Sequence, residues 1–199
     1  MKNLKKSEKI IYFILFVIMI VLFIVIGKHD FSDPEMNDHK KFTEEYNLVP
    51  EKNVFKYANN SETYAALKNG NVIVLFGFPK NAFTAAYANL VNEVALECKI
   101  DEILYYDFYQ DRKNNNGTYE SIVNYLGNYL YKTDNNKVDL TAPSMVVVKD
   151  GSIMYYDNET SYTYRDITSD DYWTLYNKDL KKATFKSVFT KYKENKNGK

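Results

Sequence analysis

The sequence is poor in cysteine, since Cys98 is the single cysteine among 199 residues. One cysteine cannot form an intramolecular disulfide or a metal site built from cysteines alone. Two interpretations of Cys98 stay open. It is either a small residue packed at a helix end, as unpaired cysteines usually are, or a thiol that pairs with another chain.

The chain also lacks an excess of charge of either sign, because 26 basic residues balance 26 acidic ones. This balance gives no support to nucleic-acid binding. Histidine is scarce as well, with two residues, and the sequence has no zinc motif, no phosphate loop and no glycine pattern for nucleotides. We therefore predict no metal and no cofactor.

One long stretch, residues 10–26, contains no charge, no glycine and no proline. As a helix it spans about 26 Å, close to the hydrocarbon core of about 30 Å. We predict a cytoplasmic tail at residues 1–9 and a transmembrane helix at residues 10–27. The four lysines of the tail orient a single-pass protein of the cell membrane with its domain outside the cytoplasm. A cleaved signal peptide is the alternative, but no small-residue cleavage motif follows the apolar run.

The segment Val72–Thr84 (VIVLFGFPKNAFT) predicts a buried strand that leads directly into a helix. Its first five residues are apolar, β-branched or aromatic, which is typical of a strand covered on both faces. Gly77 and Pro79 end the strand, and Asn81 is a favoured helix N-cap. From Phe83 onward, apolar residues recur at helical spacing.

This segment resembles the active-site segment of small membrane-anchored thioredoxin-like proteins of low-GC Gram-positive bacteria, in which the pattern runs G-F-P-x-C-P-x-C. Here the pattern stands as Gly77 to Thr84, and Asn81 and Thr84 occupy the two cysteine positions. The resemblance implies a thioredoxin-like α/β fold, with a mixed central sheet flanked by helices. It also implies a site without redox chemistry, because thiol–disulfide exchange needs a thiolate and a second thiol.

The resemblance further implies a peptide-binding edge at Ala142 and Pro143. In this family a cis-proline lies beside the active-site segment and immediately precedes a strand. Pro143, just before the predicted strand Met145–Val148, stands at that position. An extended partner segment pairs with main-chain groups at such an edge, which requires no cysteine. Phe78, Ala82 and Phe83 would form its rim. The alternative is that both phenylalanines belong to the core and the site is a relic.

The remaining elements follow the same order. We predict a juxtamembrane linker at residues 28–52 with a short helix near Lys40–Tyr46, a domain at 53–194 and a frayed end at 195–199. Asp150–Gly151 predicts a hairpin turn between two strands. Turns or loops are predicted at 111–118 and 134–137. The further predicted elements are strands at Val54–Tyr57, Glu102–Tyr109, Met145–Val148 and Ser152–Tyr156, helices capped by Ser61 and Thr118, and a last helix with Leu180, Phe185, Val188, Phe189 and Tyr192 on its apolar side.

From these patterns we expect a redox-inactive module that binds an unidentified protein or peptide and is not an enzyme. Its membrane contact would be residues 10–27. Two alternatives stay open: a thioredoxin-family oxidoreductase with atypical chemistry, and a structural subunit of a membrane complex.

Overall fold

A mixed five-stranded sheet forms the centre of the structure. The computed structural model describes residues 37–132, 138–162 and 167–194, which all belong to the unit Asn37–Lys199. In the order β1-β3-β2-β4-β5, the first three strands are parallel, and β4 and β5 run antiparallel to their neighbours. The predicted α/β class with a mixed central sheet is therefore confirmed. The strands are β1 Phe55–Tyr57, β2 Val72–Gly77, β3 Ile103–Asp107, β4 Ser144–Lys149 and β5 Ser152–Asp157.

Helices cover both faces of this sheet. The described helices are α1 Asp38–Glu45, α2 Asn60–Asn69, α3 Thr84–Glu97, α4 Tyr109–Lys113, α5 Gly117–Leu126, α6 Ser169–Tyr172 and α7 Leu175–Glu194. Helices α1, α3 and α7 share one apolar cluster on one face, and α2 and α5 share a second cluster on the other. Because β2 and β4 lie between the two clusters, nearly every residue of both strands is buried, as an all-apolar strand predicts.

The packed unit begins earlier than the predicted boundary at residue 53. The segment assigned to a linker, residues 28–52, contains α1, whose Phe42 is fully buried. Its ring stacks on Phe55 of β1 with a centroid distance of 4.1 Å, and Tyr46 and Val49 are buried beside it. The physical reason is that Phe42 and Tyr46 are four residues apart, so both point to the same side of the helix.

Three sequence-based assignments differ in detail from the structure. Helix α2 is capped by Asn59 rather than Ser61, because Asn59 and Glu62 bond to each other's main-chain N–H in a capping box. Asn116, not Thr118, caps α5. Part of the predicted polar loop at 111–118 belongs to α4.

The apolar side of α7 is also rotated from the predicted one. Phe185 and Phe189 are fully buried, whereas Leu180 is 55% exposed. A step of five residues turns a helix by about 140°, which moves Leu180 away from the stripe of Phe185. Lys181, four residues before Phe185, occupies that stripe instead and is buried.

The outer edge of β1 is closed by side chains. The N–H groups of Phe55 and Tyr57 point away from β3, because β1 pairs with β3 through Val54, Lys56 and Ala58. Asn53 Oδ1 accepts from the Phe55 N–H at 3.2 Å, and Asp38 Oδ2 accepts from the Tyr57 N–H at 3.1 Å. Both outward donors of this edge strand are thus engaged.

The tail at 1–9, the transmembrane helix at 10–27, the turn at 134–137 and the frayed end at 195–199 lie outside the described residues. None of the helices within the described ranges has the length and apolar character needed to cross a membrane.

Candidate functional site

The candidate site is the corner formed where β2 turns into α3 and where the chain enters β4, residues 77–84 and 141–144. A turn closes the first segment, since the Asn81 N–H donates to the Phe78 carbonyl at 3.0 Å. Helix α3 then begins at Thr84, one residue later than predicted. Asn81, predicted as the cap, does accept from main-chain N–H groups of the first turn, at Phe83 (3.0 Å) and Thr84 (3.1 Å).

The Asn81 side chain joins the two halves of the corner. While its Oδ1 accepts from the start of α3, its Nδ2 donates to the Ala142 carbonyl at 3.0 Å. The Thr84 hydroxyl donates to the same Oδ1 at 3.1 Å. Asn81 and Thr84 are therefore hydrogen-bonded to each other and, through Asn81, to the segment before β4. Sequence reasoning predicted the proximity of the two segments but not this bridge.

Thr84 is fully buried and packs against the end of β2. A Cβ atom at Gly77 would lie 2.6 Å from Thr84 Cγ2 and 3.4 Å from a ring carbon of Tyr105, so Thr84 occupies space that only a glycine leaves open. A threonine hydroxyl acts as a nucleophile only beside a general base. Here the hydroxyl donates to a neutral amide oxygen and is enclosed, so it has neither a base nor access to a substrate.

The second half of the corner contains a cis peptide bond at Ala142–Pro143, as the resemblance implied. Ala142 is 9% exposed, and the Ser144 hydroxyl donates to the Thr141 carbonyl at 2.7 Å, which fixes the entry into β4. The Ala142 carbonyl is occupied by Asn81. Its N–H group has no hydrogen-bond partner among the described residues.

Aromatic side chains flank the corner on two sides. Phe78 is half-buried, and its ring lies 5.6 Å from that of Phe108 and 5.3 Å from that of Tyr109. Phe83 is also half-buried, with its ring 6.0 Å from that of Tyr172 in α6. Ala82, between them in sequence, is exposed. Each phenylalanine therefore has one side against the protein and one side open. This burial is intermediate between that of an exposed rim residue, as predicted, and that of a core residue, as the alternative would require.

Sequence reasoning missed one residue at this site, Arg112. Its guanidinium carbon lies 5.5 Å from the Phe78 ring centroid and 5.1 Å from that of Phe108, and Nη1 donates to the Leu140 carbonyl at 3.3 Å. Arg112 was assigned to a polar loop, because α4 has no apolar period of its own. A signal existed in the adjacent aromatic pair Phe108 and Tyr109, since aromatic faces attract guanidinium groups.

Other reactive side chains lie away from the corner. Cys98 caps the C-terminal end of α3, opposite Thr84, where it is half-buried with Sγ 4.0 Å from the Lys186 carbonyl. His39 contacts Asn53 Oδ1 through Nδ1 at 3.2 Å. Within the described ranges, no group of three or more histidine, cysteine or acidic side chains has the geometry to hold a metal ion.

A buried ion pair lies at the end of β5. Lys181 donates to Asp157 Oδ1 at 2.8 Å, and the Tyr87 hydroxyl donates to Asp157 Oδ2 at 2.8 Å. Burial opposes the charge of Lys181, but the carboxylates of Asp157 and Glu159 outweigh it and raise its pKa above the ordinary value. Burial also raises the pKa of Tyr87 well above its ordinary range, and the Asp157 charge adds to the effect.

Comparison with known proteins assigns no family: no family model matches the chain, and no curated protein shows significant similarity to it.

Proposed function

We propose that this chain is a membrane-anchored, extracytoplasmic thioredoxin-like protein without redox activity that binds an extended segment of another protein at the corner. The observation that carries this function is the free N–H of Ala142, which lies beside a corner braced by Asn81 and bordered by the open sides of Phe78 and Phe83. An unpaired main-chain N–H beside a strand can donate to the carbonyl oxygen of a partner segment, as in β-strand addition.

The hydrogen bonds and burial of Asn81 and Thr84, the two cysteine-equivalent residues, support a binding function rather than thiol–disulfide exchange. Asn81 uses both ends of its amide within the protein, and Thr84 is enclosed. Neither can form or resolve a mixed disulfide. Their hydrogen bonds instead hold the Ala142 main chain at a fixed distance from the start of α3, so a partner segment would meet a preformed edge. Preformed edges lose less entropy on binding.

The rim supplies the apolar contacts that such an edge needs. Main-chain pairing gives affinity without selectivity, whereas pockets for side chains distinguish one segment from another. Phe78, Phe83 and exposed Ala82 border the corner, and Tyr172 extends the aromatic surface beyond Phe83. A partner with alternating apolar side chains would place them against this surface.

Site-specific crosslinking in intact cells tests the proposal. Phe83 is replaced by p-benzoylphenylalanine, which keeps an aromatic ring at the rim. After irradiation we expect one predominant adduct, and mass spectrometry should map the crosslink to an extended segment of the captured protein.

Leu96 provides a matched control, because it is on the same helix, is apolar and is 36% exposed, but lies at the opposite end from the corner. The same photoreactive residue at position 96 should not give the adduct. Equal capture from positions 83 and 96 would mean that the corner has no special role in binding.

A further inference from the structure

Two cations beside the corner have no acidic partner. Among the described residues, neither Arg112 nor Lys80 forms an ion pair. Lys182 and Lys186 of α7, on the other face of the sheet, pair with acidic side chains of α3 instead. The charges of Arg112 and Lys80 are therefore not neutralised by an ion pair within the part of the chain that the structure describes.

Arg112 is held in place by contacts that leave most of its donors unused. Its guanidinium lies 5.1 Å from the Phe108 ring centroid and 5.5 Å from that of Phe78, and one nitrogen donates to the Leu140 carbonyl. Stacking on rings restricts the side chain without consuming N–H groups, and a guanidinium carries five of these. An oriented, partly exposed guanidinium is suited to bind a carboxylate through two parallel hydrogen bonds.

Lys80 stands on the other side of the same aromatic group. Its side chain is exposed, and its Nζ lies 5.5 Å from the Tyr109 ring centroid. Since Tyr109 contacts Phe78 and Phe78 contacts Phe108, the two cations flank a continuous set of rings. Phe78 thus provides an apolar surface with positive charge at both ends.

The neighbouring carboxylates are engaged by other groups. Asp111 accepts from the Tyr106 hydroxyl and from Asn60 Nδ2. Asp139 accepts from the Tyr119 hydroxyl and the Leu140 N–H, and Asp107 accepts from the Tyr109 N–H. None of them approaches Arg112 closely enough for an ion pair. An external carboxylate would therefore find Arg112 without displacing one already there.

We propose that the corner selects an acidic segment of a partner protein, with an aspartate or glutamate side chain bound by Arg112 and attracted by Lys80, an inference that rests on the proposed function of the same corner. Leu140, whose carbonyl contacts Arg112, precedes Ala142 by two residues. A segment paired with the Ala142 N–H thus runs past the guanidinium. The charge selects the partner, and the main chain and Phe78 supply the remaining contacts.

Selection from a random heptapeptide display library on the full chain in detergent micelles tests this assignment. Selected peptides are synthesised, and those that crosslink to p-benzoylphenylalanine at position 83 are retained. We expect retained peptides to be enriched in aspartate and glutamate. Replacing these with asparagine and glutamine should weaken binding by about threefold to tenfold, the range of a partly exposed charge-assisted pair.

Substitutions of single cations show which side chain causes the preference for acidic peptides. Arg112→Gln should abolish the preference for acidic peptides, Lys80→Gln should reduce it, and Arg112→Lys should retain part of it. Lys113→Gln is the matched control, because Lys113 is exposed and adjacent in sequence but makes none of these contacts. Since the Lys80 side chain forms no hydrogen bond with any residue that the structure describes, its variant stays informative if Arg112→Gln fails to fold.

The outcomes separate this inference from the proposed function. Peptides that crosslink at position 83 without acidic enrichment would overturn the inference and leave peptide binding intact. A preference unchanged by Arg112→Gln would overturn it as well. If no peptide crosslinks at position 83, both fail. If the chain captures only a second copy of itself there, the assignment to another protein is wrong.

Discussion

Gly77 and Thr84 form the tightest contact of the corner, and their pairing makes a sharp prediction. Gly77→Ala would push a Cβ to 2.6 Å from Thr84 Cγ2. Thr84 cannot rotate away without losing its hydrogen bond to Asn81. We expect a loss of about 1–3 kcal/mol in the free energy of unfolding, the usual cost of overpacking.

The matched rescue removes only the clashing methyl group. Thr84→Ser keeps the hydroxyl, so the double variant Gly77→Ala with Thr84→Ser should recover most of the loss. Urea unfolding followed by fluorescence of Trp173, the single tryptophan and a buried one, measures both. Additive effects of the two substitutions would contradict the described contact.

At the residue scale, the sequence predicts types of interaction better than their partners. Asn81 was expected to bind main-chain N–H groups of the first turn and does so, because capping depends on residues two and three positions away. Its bond to Ala142 crosses 61 residues and no local pattern encodes it. The unpaired state of Arg112 could not be predicted for the same reason: it depends on where the carboxylates of other elements point.

At the element scale, α7 attaches to the sheet through a buried charge as well as through phenylalanines. Lys181 lies on the apolar stripe with 8% of its side chain exposed and binds Asp157, which is 4% exposed. Lys181→Met would leave the Asp157 carboxylate buried without its cation. We expect a loss of about 3–5 kcal/mol, because removing one partner of a buried ion pair leaves an uncompensated charge.

Lys182→Met is the neighbouring control. Lys182 pairs with Glu93 at the surface, with 35% and 46% of the two side chains exposed. Exposed pairs contribute about 1 kcal/mol or less. In urea unfolding, the loss in the free energy of unfolding should therefore be several-fold larger for Lys181→Met than for Lys182→Met. Equal losses would mean that the Lys181 pair is not buried in solution.

Elements with strong periodicity or strong turn signals were predicted, and those defined by tertiary contacts were not. Strand β2 and the β4–β5 hairpin follow from apolar runs and from Asp150–Gly151. Helix α4 was missed because its five residues lack an apolar face. The packing of α1 was missed because its two aromatic residues stand among charged ones, and their burial depends on Phe55.

At the scale of the whole molecule, buried tyrosines set an alkaline limit to stability. Burial raises the pKa of several tyrosines above the ordinary value of 10.0, and neighbouring carboxylates or tyrosines add to the effect at most of them. A raised pKa means that the folded state keeps these protons while the unfolded state loses them above pH 10. Their stabilising contribution is therefore complete below that pH and falls as the pH rises.

We expect cooperative unfolding above pH 10, because the unfolded state then loses tyrosine protons that the folded state keeps. Tyrosinate absorbance and Trp173 fluorescence, recorded in one titration, should change together. The tyrosines with raised pKa values include Tyr46, Tyr57, Tyr87, Tyr105, Tyr106, Tyr119 and Tyr155. Tyrosinate formation that is largely complete before the fluorescence changes would place these hydroxyls in contact with water.

The side chains of Asn53 and Asp38 that engage the outer N–H groups of β1 also limit how copies of this protein can assemble. A fibril grows only when both edges of a sheet accept a strand, so that every added copy offers a new edge. Here the N–H donors of Phe55 and Tyr57 at one edge are already bonded to side chains of the same chain. Pairing through β5 would join two copies and then stop, because each would present its closed edge outward. In polymer terms the sheet has a functionality of one, and a monomer of that kind terminates a chain instead of extending it.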